Sequence, residues 1–539
     1  MTIFIGIDIG TTSTKAVAFD SAGQVIQKSQ AGYSTRIPWP GRAEQDPEDI
    51  FQAVMSATKE LIAKIGTDEL QAIGLSSAMH SMVAVDEQGH PLTPLMLWSD
   101  NRSSEEAKQL KQRSDAQALY ERTGTPMHPM TPLTKLIWMQ KHDAACFHQA
   151  SKFLAIKDYI LFKWFGRYLT DYSMASGTGL FNIHSFSWDQ EALQLAGITE
   201  QKLPEPVSPL MLLTDMQPSI IAALGLKQPL PVVVGASDGP LANIGSGAVH
   251  PKQMAVTIGT SGAVRKITDK PELDEHGRTF CYAITEGMWI VGGPTNNGAV
   301  CLQWFKENVQ SYKHSFTLEE VEAPSIEREA SIIASSQAAK LSPYDEMFKA
   351  IASVPAGAEG LLFLPFLSGE RAPHWDADAQ GVFFGLGLQH HQAHMMRAVA
   401  EGMLYAIYSI AKLLGEPPVA YESLIASGGF TQSSVGVAMM SDLFGVPVQL
   451  PDSPEASAYG AAILAMTAAG KLASIRDGAQ LVQFNRMFVP DVRITETYRH
   501  MYQLYERVYR HLADAGDFVF ASKLKRELAA ATWQDETKK

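Results

Sequence analysis

The sequence predicts an α/β chain made of two related lobes, and three observations carry this prediction. The first is a hairpin of two apolar strands, residues 3–19, whose turn holds one glycine and three hydroxyl side chains. The second is the return of this pattern at Gly259, which lies 249 residues after Gly10 in a chain of 539. The third is the alternation of strand, helix and strand patterns after the hairpin, which is typical of α/β proteins. A chain of this length exceeds what one hydrophobic core holds, so two or three domains are expected.

The turn of the first hairpin is Gly10-Thr11-Thr12-Ser13, and Asp8 lies just before it in the apolar strand. Free backbone N–H groups and hydroxyl donors at such a tip are how proteins hold phosphate oxygens. A carboxylate in an apolar strand is costly unless a cation offsets it, and a magnesium ion beside the phosphates would do so. For this loop taken alone, a plain hairpin with a polar turn is the alternative.

The second copy of the loop is Gly259-Thr260-Ser261, which again stands between apolar strands. Thr257 stands where the first copy has Asp8, so one copy can carry the charge for a metal while both hold phosphate. The repeat favours the phosphate interpretation. We therefore interpret the chain as two lobes that face each other across one nucleotide.

The composition argues against several classes of function. The net charge of −13 and the lack of a basic block speak against a nucleic-acid partner. Cys146, Cys281 and Cys301 are scattered without a CxxC pair, which suits free thiols in a reducing compartment. The N-terminal apolar run has no basic lead and contains Asp8, unlike a signal peptide. No apolar stretch reaches the roughly 18 residues of a membrane helix, so we expect a cytoplasmic protein without a membrane partner.

The elements after the first hairpin follow the α/β pattern. Residues 24–29 continue as a third antiparallel strand. Residues 48–64 form a helix, with Asp46 as its N-cap and Pro47 as its first residue. Further along, the pattern over residues 151–166 predicts another helix.

A buried strand over residues 70–76 leads to Met79 and His80. Ligands collect at the carboxyl ends of strands in α/β proteins, which makes His80 a candidate for ligand contact. A structural or merely exposed histidine is the alternative.

A cluster of Trp98, Asp100 and Arg102 follows within five positions. Trp98 would give a polyol an apolar wall, and the two charged residues would give it directional hydrogen bonds. The alternative is that Asp100 or Ser103 simply caps the next helix. We favour the polyol site, because a cap does not need all three residue types.

Asp238 follows a short buried strand that ends in small residues. Small residues let a ligand approach the backbone, and a carboxylate at a strand end is placed to take a proton from a hydroxyl. The alternative is a helix N-cap, and the two roles do not exclude each other.

The second half of the chain holds three further candidates. The turn at residues 292–298 leads into a helix whose N-terminus faces a nucleotide or belongs to a simple loop. A strand ends in Gly428 and Gly429, which lets backbone lie flat against a base or ribose. Glu370 and Arg371 are expected to pair at an interface or hinge, with no chemical role.

These motifs make the chain similar to the FGGY carbohydrate kinases, which belong to the actin and sugar-kinase superfamily and have duplicated ribonuclease-H-like lobes around a central cleft. The resemblance covers all but the last few dozen residues. It rests on Asp238 and on residues 8–13, 41–47, 98–102, 132–138, 258–262, 369–373 and 427–429. It implies an N-terminal lobe at residues 1–245 with the sugar side, a C-terminal nucleotide-side lobe at 246–475, and a helical extension at 476–539.

The resemblance also implies ATP-dependent phosphorylation of a sugar or polyol hydroxyl, with Asp238 as general base and Mg²⁺ near Asp8 and Asp238. The residues it places at the phosphates are Gly10, Thr11, Thr12, Ser13, Gly259, Thr260 and Ser261. Those near the nucleoside are Gln303, Gly428 and Gly429, and those on the substrate side are Met79, His80, Trp98, Asp100 and Arg102. Ser433 departs from the asparagine of glycerol kinases, so the nucleotide contact at that position is open.

Three segments, residues 76–81, 98–103 and 235–243, resemble the gluconate-specific members of the family. Xylulose-specific members more usually have His-Gly after the methionine and Gly-Asp-Asn around the base. The implied reaction converts D-gluconate to 6-phosphogluconate, with Arg102 as the partner of the substrate carboxylate.

Three alternatives stay open. They are a xylulokinase or other pentulose or polyol kinase of the family, an actin-like nucleotide switch without sugar kinase activity, and a catalytically silent sugar sensor. The oligomeric state is open as well, with a homodimer among the alternatives.

Overall fold

The computed structural model describes residues 2–309, 345–452 and 455–536. The chain divides into two compact units. Unit 1 comprises Met1–Pro251, Lys266–Val291 and Asp452–Gln483, and unit 2 comprises Lys252–Arg265, Gly292–Pro451 and Phe484–Lys539. The linear domains 1–245, 246–475 and 476–539 stay a prediction, whereas the compact units are discontinuous along the chain.

Strands are numbered in chain order. Up to residue 245 they are β1 (Ile3–Ile9), β2 (Ser13–Asp20), β3 (Val25–Gly32), β4 (Glu44–Gln45), β5 (Leu70–Ser77), β6 (Val83–Val85), β7 (Leu95–Met96), β8 (Lys152–Leu154), β9 (Leu169–Asp171), β10 (Phe181–Asn182), β11 (Ser187–Trp188), β12 (Glu205–Val207), β13 (Leu212–Leu213) and β14 (Val232–Ser237). Those that follow are β15 (Gln253–Ile258), β16 (Gly262–Thr268), β17 (Phe280–Thr285), β18 (Met288–Thr295), β19 (Leu362–Leu364), β20 (Val382–Phe384), β21 (Ser423–Ser427), β22 (Val448–Pro451) and β23 (Phe484–Phe488).

Helices are numbered in the same way. Up to residue 245 they are α1 (Pro47–Ile65), α2 (Ser104–Lys111), α3 (Ala116–Thr123), α4 (Pro132–His142), α5 (Ala144–Gln149), α6 (Ile156–Phe165), α7 (Tyr172–Ser176), α8 (Gln190–Leu195), α9 (Pro218–Leu224) and α10 (Asp238–Gly245). Those that follow are α11 (Val300–Asn308), α12 (Asp345–Ala352), α13 (Gln392–Leu413), α14 (Ser434–Phe444), α15 (Ala456–Ala468), α16 (Ile475–Ala479), α17 (Val492–Asp514) and α18 (Asp517–Glu536). Short 3₁₀ turns occur at Glu200–Lys202, Ala358–Gly360 and Gly429–Gln432.

The two large sheets share one strand order over six strands, and the second sheet has β17 as a seventh strand at its edge. The first runs β13-β14-β5-β1-β2-β3, in which β1 pairs antiparallel with β2 and parallel with β5. The second runs β23-β22-β21-β15-β16-β18-β17, in which β15 pairs parallel with β21 as β1 does with β5. The outer strands also correspond, because β13 and β23 each pair antiparallel with their neighbours. This confirms the predicted α/β fold with two related halves.

Helix α15 packs on the first sheet at very close range. A Cβ added to Gly6 on β1 would lie 1.8 Å from the carbonyl oxygen of Ala458, and one added to Gly74 on β5 would lie 2.0 Å from that of Ala461. These distances leave no room for a side chain, so glycine on the strands lets the helix backbone lie directly against the sheet. The Ala-rich helix α15 thus belongs to unit 1, although it lies late in the chain.

Most elements predicted in the first half are confirmed, and one is wrong in part. Helix α1 begins at Pro47, and the side chain of Asp46 accepts a hydrogen bond from Glu48 N at 2.9 Å. Residues 151–166, predicted as one helix, form β8 followed by α6. Strand β8 pairs antiparallel with β6, and this pairing with a distant part of the chain outweighs the local helical pattern.

The predicted C-terminal extension contains strand β23 besides the long helices α17 and α18, and its residues 537–539 lie outside the described part. None of the helices in the described ranges combines the length and the apolar character that a membrane span needs.

The variant Gly74→Ala tests the close packing of α15. Its Cβ would meet backbone rather than a movable side chain, so we expect the free energy of unfolding to fall by about 3 kcal/mol. The measurement is chemical denaturation followed by circular dichroism. In the control Gly32→Ala the Cβ would lie at an ordinary 3.8 Å from Thr12 O, and the change should stay below about 1 kcal/mol. Equal effects of the two variants would contradict this role of the glycine.

Candidate active site

The first hydroxyl loop, between β1 and β2, is closed by its own glycine. Gly10 N donates to Ser13 O at 3.1 Å, and Gly10 O accepts a hydrogen bond from Tyr33 Oη at 2.5 Å. In the part of the chain that the structure describes, the amides of Thr11 and Thr12 donate to no acceptor. The turn thus leaves two adjacent N–H groups available, as a phosphate-binding loop requires.

The second hydroxyl loop, between β15 and β16, is also closed by the amide of its own glycine. Gly259 N donates to Ser261 O at 2.9 Å. Again no acceptor for the amides of Thr260 and Ser261 is found among the described residues. Both loops are thus closed by the amide of their glycine and leave the next two amides without an acceptor, although the closing bond reaches Ser13 three residues on in the first loop and Ser261 two residues on in the second.

The N-terminus of helix α11 holds the second loop. Ala299 N donates to Gly259 O at 2.8 Å, and Val300 N donates to Thr260 O at 3.2 Å. Amides of a helix N-terminus have no partner within the helix, so the loop carbonyls satisfy them here. These two amides are consequently occupied and hold the loop rather than a phosphate, while the interpretation that this helix N-terminus faces a nucleotide stays a prediction.

A cavity of about 240 Å³ opens beside the second loop. Four residues that are predicted to contact the nucleotide line this cavity, namely Gly259, Thr260, Gln303 and Gly429. The other lining residues are Ala299, Leu302, Phe348, Phe430, Gln432 and Ser433. This lining is apolar with a few hydroxyl, amide and backbone groups and carries no charge, which suits the base and ribose of a nucleoside.

Gly428, which is predicted to contact the nucleoside, and Ser433, whose nucleotide contact is open, both have structural roles next to this cavity. Gly428 has a φ of 93°, and a Cβ there would lie 2.3 Å from Ile258 O, so only glycine lets the end of β21 approach β15 so closely. Ser433 Oγ accepts a hydrogen bond from Gly436 N at 3.1 Å and thereby caps α14. The serine that departs from the family pattern thus has a clear local function.

The predicted sugar residues lie beside the first loop. Trp98 Nε1 donates to Thr11 Oγ1 at 3.2 Å, and Gln45 Nε2 donates to Thr11 O at 2.6 Å. Met79, Trp98, Gln45, Gly10 and Thr11 line one cavity of about 10 Å³, which has room for about one water molecule. The structure therefore brings the apolar wall and the first phosphate loop into direct contact.

His80 has a constrained backbone and a fixed ring. Its φ is 62°, in the left-handed region that residues other than glycine rarely adopt. Its Nδ1 lies 2.7 Å from Gly177 O and carries the hydrogen of this bond, because a carbonyl can only accept. Such strain at the end of a strand often accompanies a functional site.

Asp100 and Arg102 form a buried ion pair together with Glu44. Arg102 Nε and Nη2 each donate to a different oxygen of Asp100 at 2.7 Å, and Nη2 also donates to Glu44 Oε1 at 2.5 Å. Burial alone would raise the pKa of Asp100, but hydrogen bonds from Arg102 and from Ala43 N bring it below its usual value. The N-cap of α2 is Ser103, and its side chain caps no amide of the helix, so the capping alternative does not explain this cluster.

Asp238 is the first residue of α10 and is half-buried, with its Oδ1 accepting from Gly239 N at 2.7 Å. The residue before it, Ser237, is anchored below: its amide donates to Ser173 Oγ at 2.8 Å, and that hydroxyl donates to Asp171 Oδ1 at 2.6 Å. Asp171 in turn forms a buried ion pair with Lys157. Asp238 thus follows an anchored residue. The N-cap of α10 is Ser237, so the N-cap alternative for Asp238 is wrong, while its role as proton acceptor stays a prediction.

Asp8 is a buried carboxyl whose neighbours offset the cost of its charged form only in part. Burial raises the pKa of Asp8, while the hydrogen bond from Ser76 Oγ at 2.7 Å and the charge of Lys15 lower it by less. Lys15 Nζ is itself bound to Glu455 Oε2 at 3.1 Å. A carboxylate in this state suits a cation that arrives with a ligand.

The residues present fit a magnesium ion that binds together with phosphates. Within the described ranges, no three His, Cys, Asp or Glu side chains form a complete metal site. Magnesium commonly uses only one or two carboxylates and completes its shell with phosphate oxygens and water. Asp8 offers one such carboxylate.

Glu370 is a residue to which the sequence assigned no chemical role. Its buried carboxylate accepts from Thr295 Oγ1 and Arg371 N at 2.7 Å, and from Asn296 N and Asn297 Nδ2 at 3.2 Å. Burial raises the pKa of Glu370 to about 7 against the effect of these donors. Glu370 therefore fixes the segment that leads into α11 and, through it, the second loop. The segment 369–373 alone did not reveal this, because three of the four donors lie 73 to 75 residues earlier in the chain.

The family of the chain follows from comparison with known domains. Residues 3–245 match the N-terminal domain of the FGGY family of carbohydrate kinases, and residues 254–469 match its C-terminal domain. The chain belongs to this family. It is accordingly a phosphotransferase that uses an alcohol group as acceptor, and its fold consists of the family's two ribonuclease-H-like domains.

The chain is similar over nearly its full length to particular members. It is 41% identical to a gluconokinase of Bacillus licheniformis over 511 residues, which cover 94% of this chain and 96% of the relative. Its structure resembles a gluconate kinase from Lactobacillus acidophilus with a TM-score of 0.86 and 33% identity, covering 95% and 98% of the two chains. A ligand-bound xylulose kinase from Lactobacillus acidophilus gives the same TM-score and identity and covers 95% and 99%.

The variant Gly298→Ala tests the support of the second loop. Its Cβ would lie 2.5 Å from Ser261 C and 2.7 Å from Gly259 O, so it must displace the loop. We expect the KM for ATP to rise about tenfold or more, since small misplacements of binding groups have large effects. The measurement is steady-state kinetics with ATP varied at a saturating sugar concentration.

Gly387→Ala is the control for Gly298→Ala in the same unit. Its Cβ would meet only the flexible end of the Gln389 side chain, so the KM for ATP should stay within about twofold of the wild type. An unchanged KM for ATP in Gly298→Ala would show that the loop does not need this support.

Proposed function

We propose that the protein transfers the γ-phosphoryl group of ATP to a hydroxyl of D-gluconate and so produces 6-phosphogluconate. The observation that supports phosphoryl transfer is the pair of loops closed by a glycine amide. Each loop has two adjacent amides that lack an acceptor in the described part of the chain. Support for gluconate comes from the 41% identity with a gluconokinase across both domains.

In this mechanism Asp238 accepts the proton of the attacking hydroxyl. Its anchoring through Ser237, Ser173 and Asp171 keeps the carboxylate in place while the hydroxyl attacks. The amides of both loops and the hydroxyls of Thr11, Thr12, Ser13, Thr260 and Ser261 hold phosphate oxygens, and Gln303, Gly428 and Gly429 face the nucleoside. The transfer needs little covalent help from the protein, because positioning and electrostatics supply most of the catalysis.

Magnesium is the proposed cofactor, with Asp8 and Asp238 as the residues that would hold it. When bound, the ion would neutralise charge on the phosphate oxygens. The partly balanced charge of Asp8 supports this assignment.

Arg102 is the proposed partner of the substrate carboxylate, beside Met79, His80, Trp98 and Asp100 on the sugar side. Its Nε and Nη2 are held by Asp100 and Glu44, whereas Nη1 has no hydrogen-bond acceptor among the described residues. A guanidinium fixed on one side with one free nitrogen is suited to bind a carboxylate with defined direction. Because the carboxylates of Asp100 and Glu44 already neutralise part of the charge of Arg102, its attraction to a substrate carboxylate is weakened.

We also propose a cytoplasmic location, with the sugar acid and ATP as partners and without a nucleic-acid or membrane partner. The three cysteines are free thiols, which agrees with a reducing compartment. A homodimer stays a prediction.

A substrate panel tests the identity of the sugar. D-gluconate, D-xylulose and glycerol are compared by ADP release, and kcat/KM for gluconate should exceed that for the others by about 100-fold or more. A preference for xylulose would favour the pentulose kinase alternative. ADP release independent of any sugar would favour the nucleotide switch, and sugar binding without ADP release would favour a silent sensor.

The same panel on Arg102→Lys tests the carboxylate partner. The change keeps the charge but removes the forked donors, so the KM for gluconate should rise about tenfold while neutral sugars are unaffected. Arg122→Lys is the control, because Arg122 pairs with Asp189 in a similar way outside the proposed site. Parallel changes for gluconate and glycerol would remove Arg102 from this role.

The variant Asp238→Asn tests the proton acceptor. It keeps the oxygen that binds Gly239 N but cannot take a proton, so kcat should fall about 1,000-fold while the Kd for ATP stays near the wild-type value. Asp46→Asn, a change at the N-cap of α1, is the control and should leave kcat intact. Turnover of Asp238→Asn within about tenfold of the wild type would exclude Asp238 as the base.

A further inference from the structure

Lys135 on helix α4 is a fully buried lysine that binds three backbone carbonyls. Its Nζ donates to His80 O and Leu97 O at 2.7 Å and to Met130 O at 2.9 Å. An ammonium group has three hydrogens and the neutral amine has two, so these three bonds require the protonated form. The side chain is therefore a charged link buried beneath the surface.

The three carbonyls belong to separate segments of chain around the proposed sugar side. His80 lies in the segment after β5, directly after Met79, and Leu97 directly precedes Trp98 after β7. Met130 lies in the loop before α4. One ammonium group thus connects the backbone next to Met79 with the backbone next to Trp98.

The link also bears on the strain at His80. The left-handed backbone of His80 needs support from its surroundings, and Lys135 binds its carbonyl while Gly177 binds its ring. Without either contact this residue would have reason to relax to an ordinary conformation.

We propose that Lys135 is a positioning residue whose ammonium group fixes the two substrate-contacting segments, at Met79–His80 and at Trp98, relative to each other. The proposal rests on the proposed sugar site. Lys135 does not touch the substrate, because its side chain is completely buried.

The protonation of this link depends on pH near neutrality. Burial lowers the pKa of Lys135 to about 7; of the charged groups that act on it, Asp100 raises the pKa and Arg102 lowers it. Above this pH the amine keeps two hydrogens for three carbonyls, so one segment loses its contact. The sugar side should consequently loosen as the pH rises through 7.

The first experiment uses Lys135→Met, which keeps the length of the side chain but has no donor. We expect the KM for the sugar to rise about tenfold or more, with kcat and the KM for ATP within about threefold of the wild type. Lys266→Met is the matched control, since Lys266 is also buried and pairs with Glu272 at 2.9 Å away from the sugar residues. A folded Lys135→Met protein with an unchanged KM for the sugar would overturn the proposal.

The second experiment needs only the wild type and decides the matter if Lys135→Met does not fold. Between about pH 6 and pH 9 the KM for the sugar should rise two- to tenfold at saturating ATP, as expected for the loss of one hydrogen bond. A flat KM for the sugar would refute the proposal. Both experiments use whichever sugar the panel identifies, so a failure of gluconate as substrate is distinguishable from a failure of Lys135.

Discussion

The hydrogen bond from a glycine N–H back into its own loop is the interaction on which the two phosphate loops depend. It folds each turn so that the next two amides, at Thr11 and Thr12 or at Thr260 and Ser261, have no acceptor in the described part of the chain. Amides without acceptors cost free energy when water is excluded, so these positions favour a ligand rich in acceptor oxygens. A triphosphate supplies such oxygens, whereas a plain polar turn does not require two adjacent amides without acceptors.

Each loop is held by different means. The first loop follows directly after β1. Strand β1 packs against helix α15 so closely at Gly6 that no side chain fits between them. The second is bound by the N-terminus of α11, whose approach is fixed by the buried carboxylate of Glu370. In both units a rigid α/β framework thus holds a short polar loop. The framework supplies the stability, and the loop supplies the groups that bind a ligand.

The sequence was informative where function follows from a local pattern. The repeated loops, the capped helix α1 and the carboxylate of Asp238 at the end of β14 all lie within short segments, and the structure has each element where the pattern predicts it. Strand β8 was missed because its pairing with β6 overrides a helical pattern. Lys135 and Glu370 were missed because most of their partners lie tens of residues away, and a periodic pattern does not indicate a buried link between distant segments.

A crystal structure with magnesium and a non-hydrolysable ATP analogue tests the central claim most directly. The amides of Thr11 and Thr12, and those of Thr260 and Ser261, should lie about 2.7–3.2 Å from phosphate oxygens of the same analogue. Phosphates bound away from both pairs of amides would contradict the assignment of these loops, and with it the proposed mechanism.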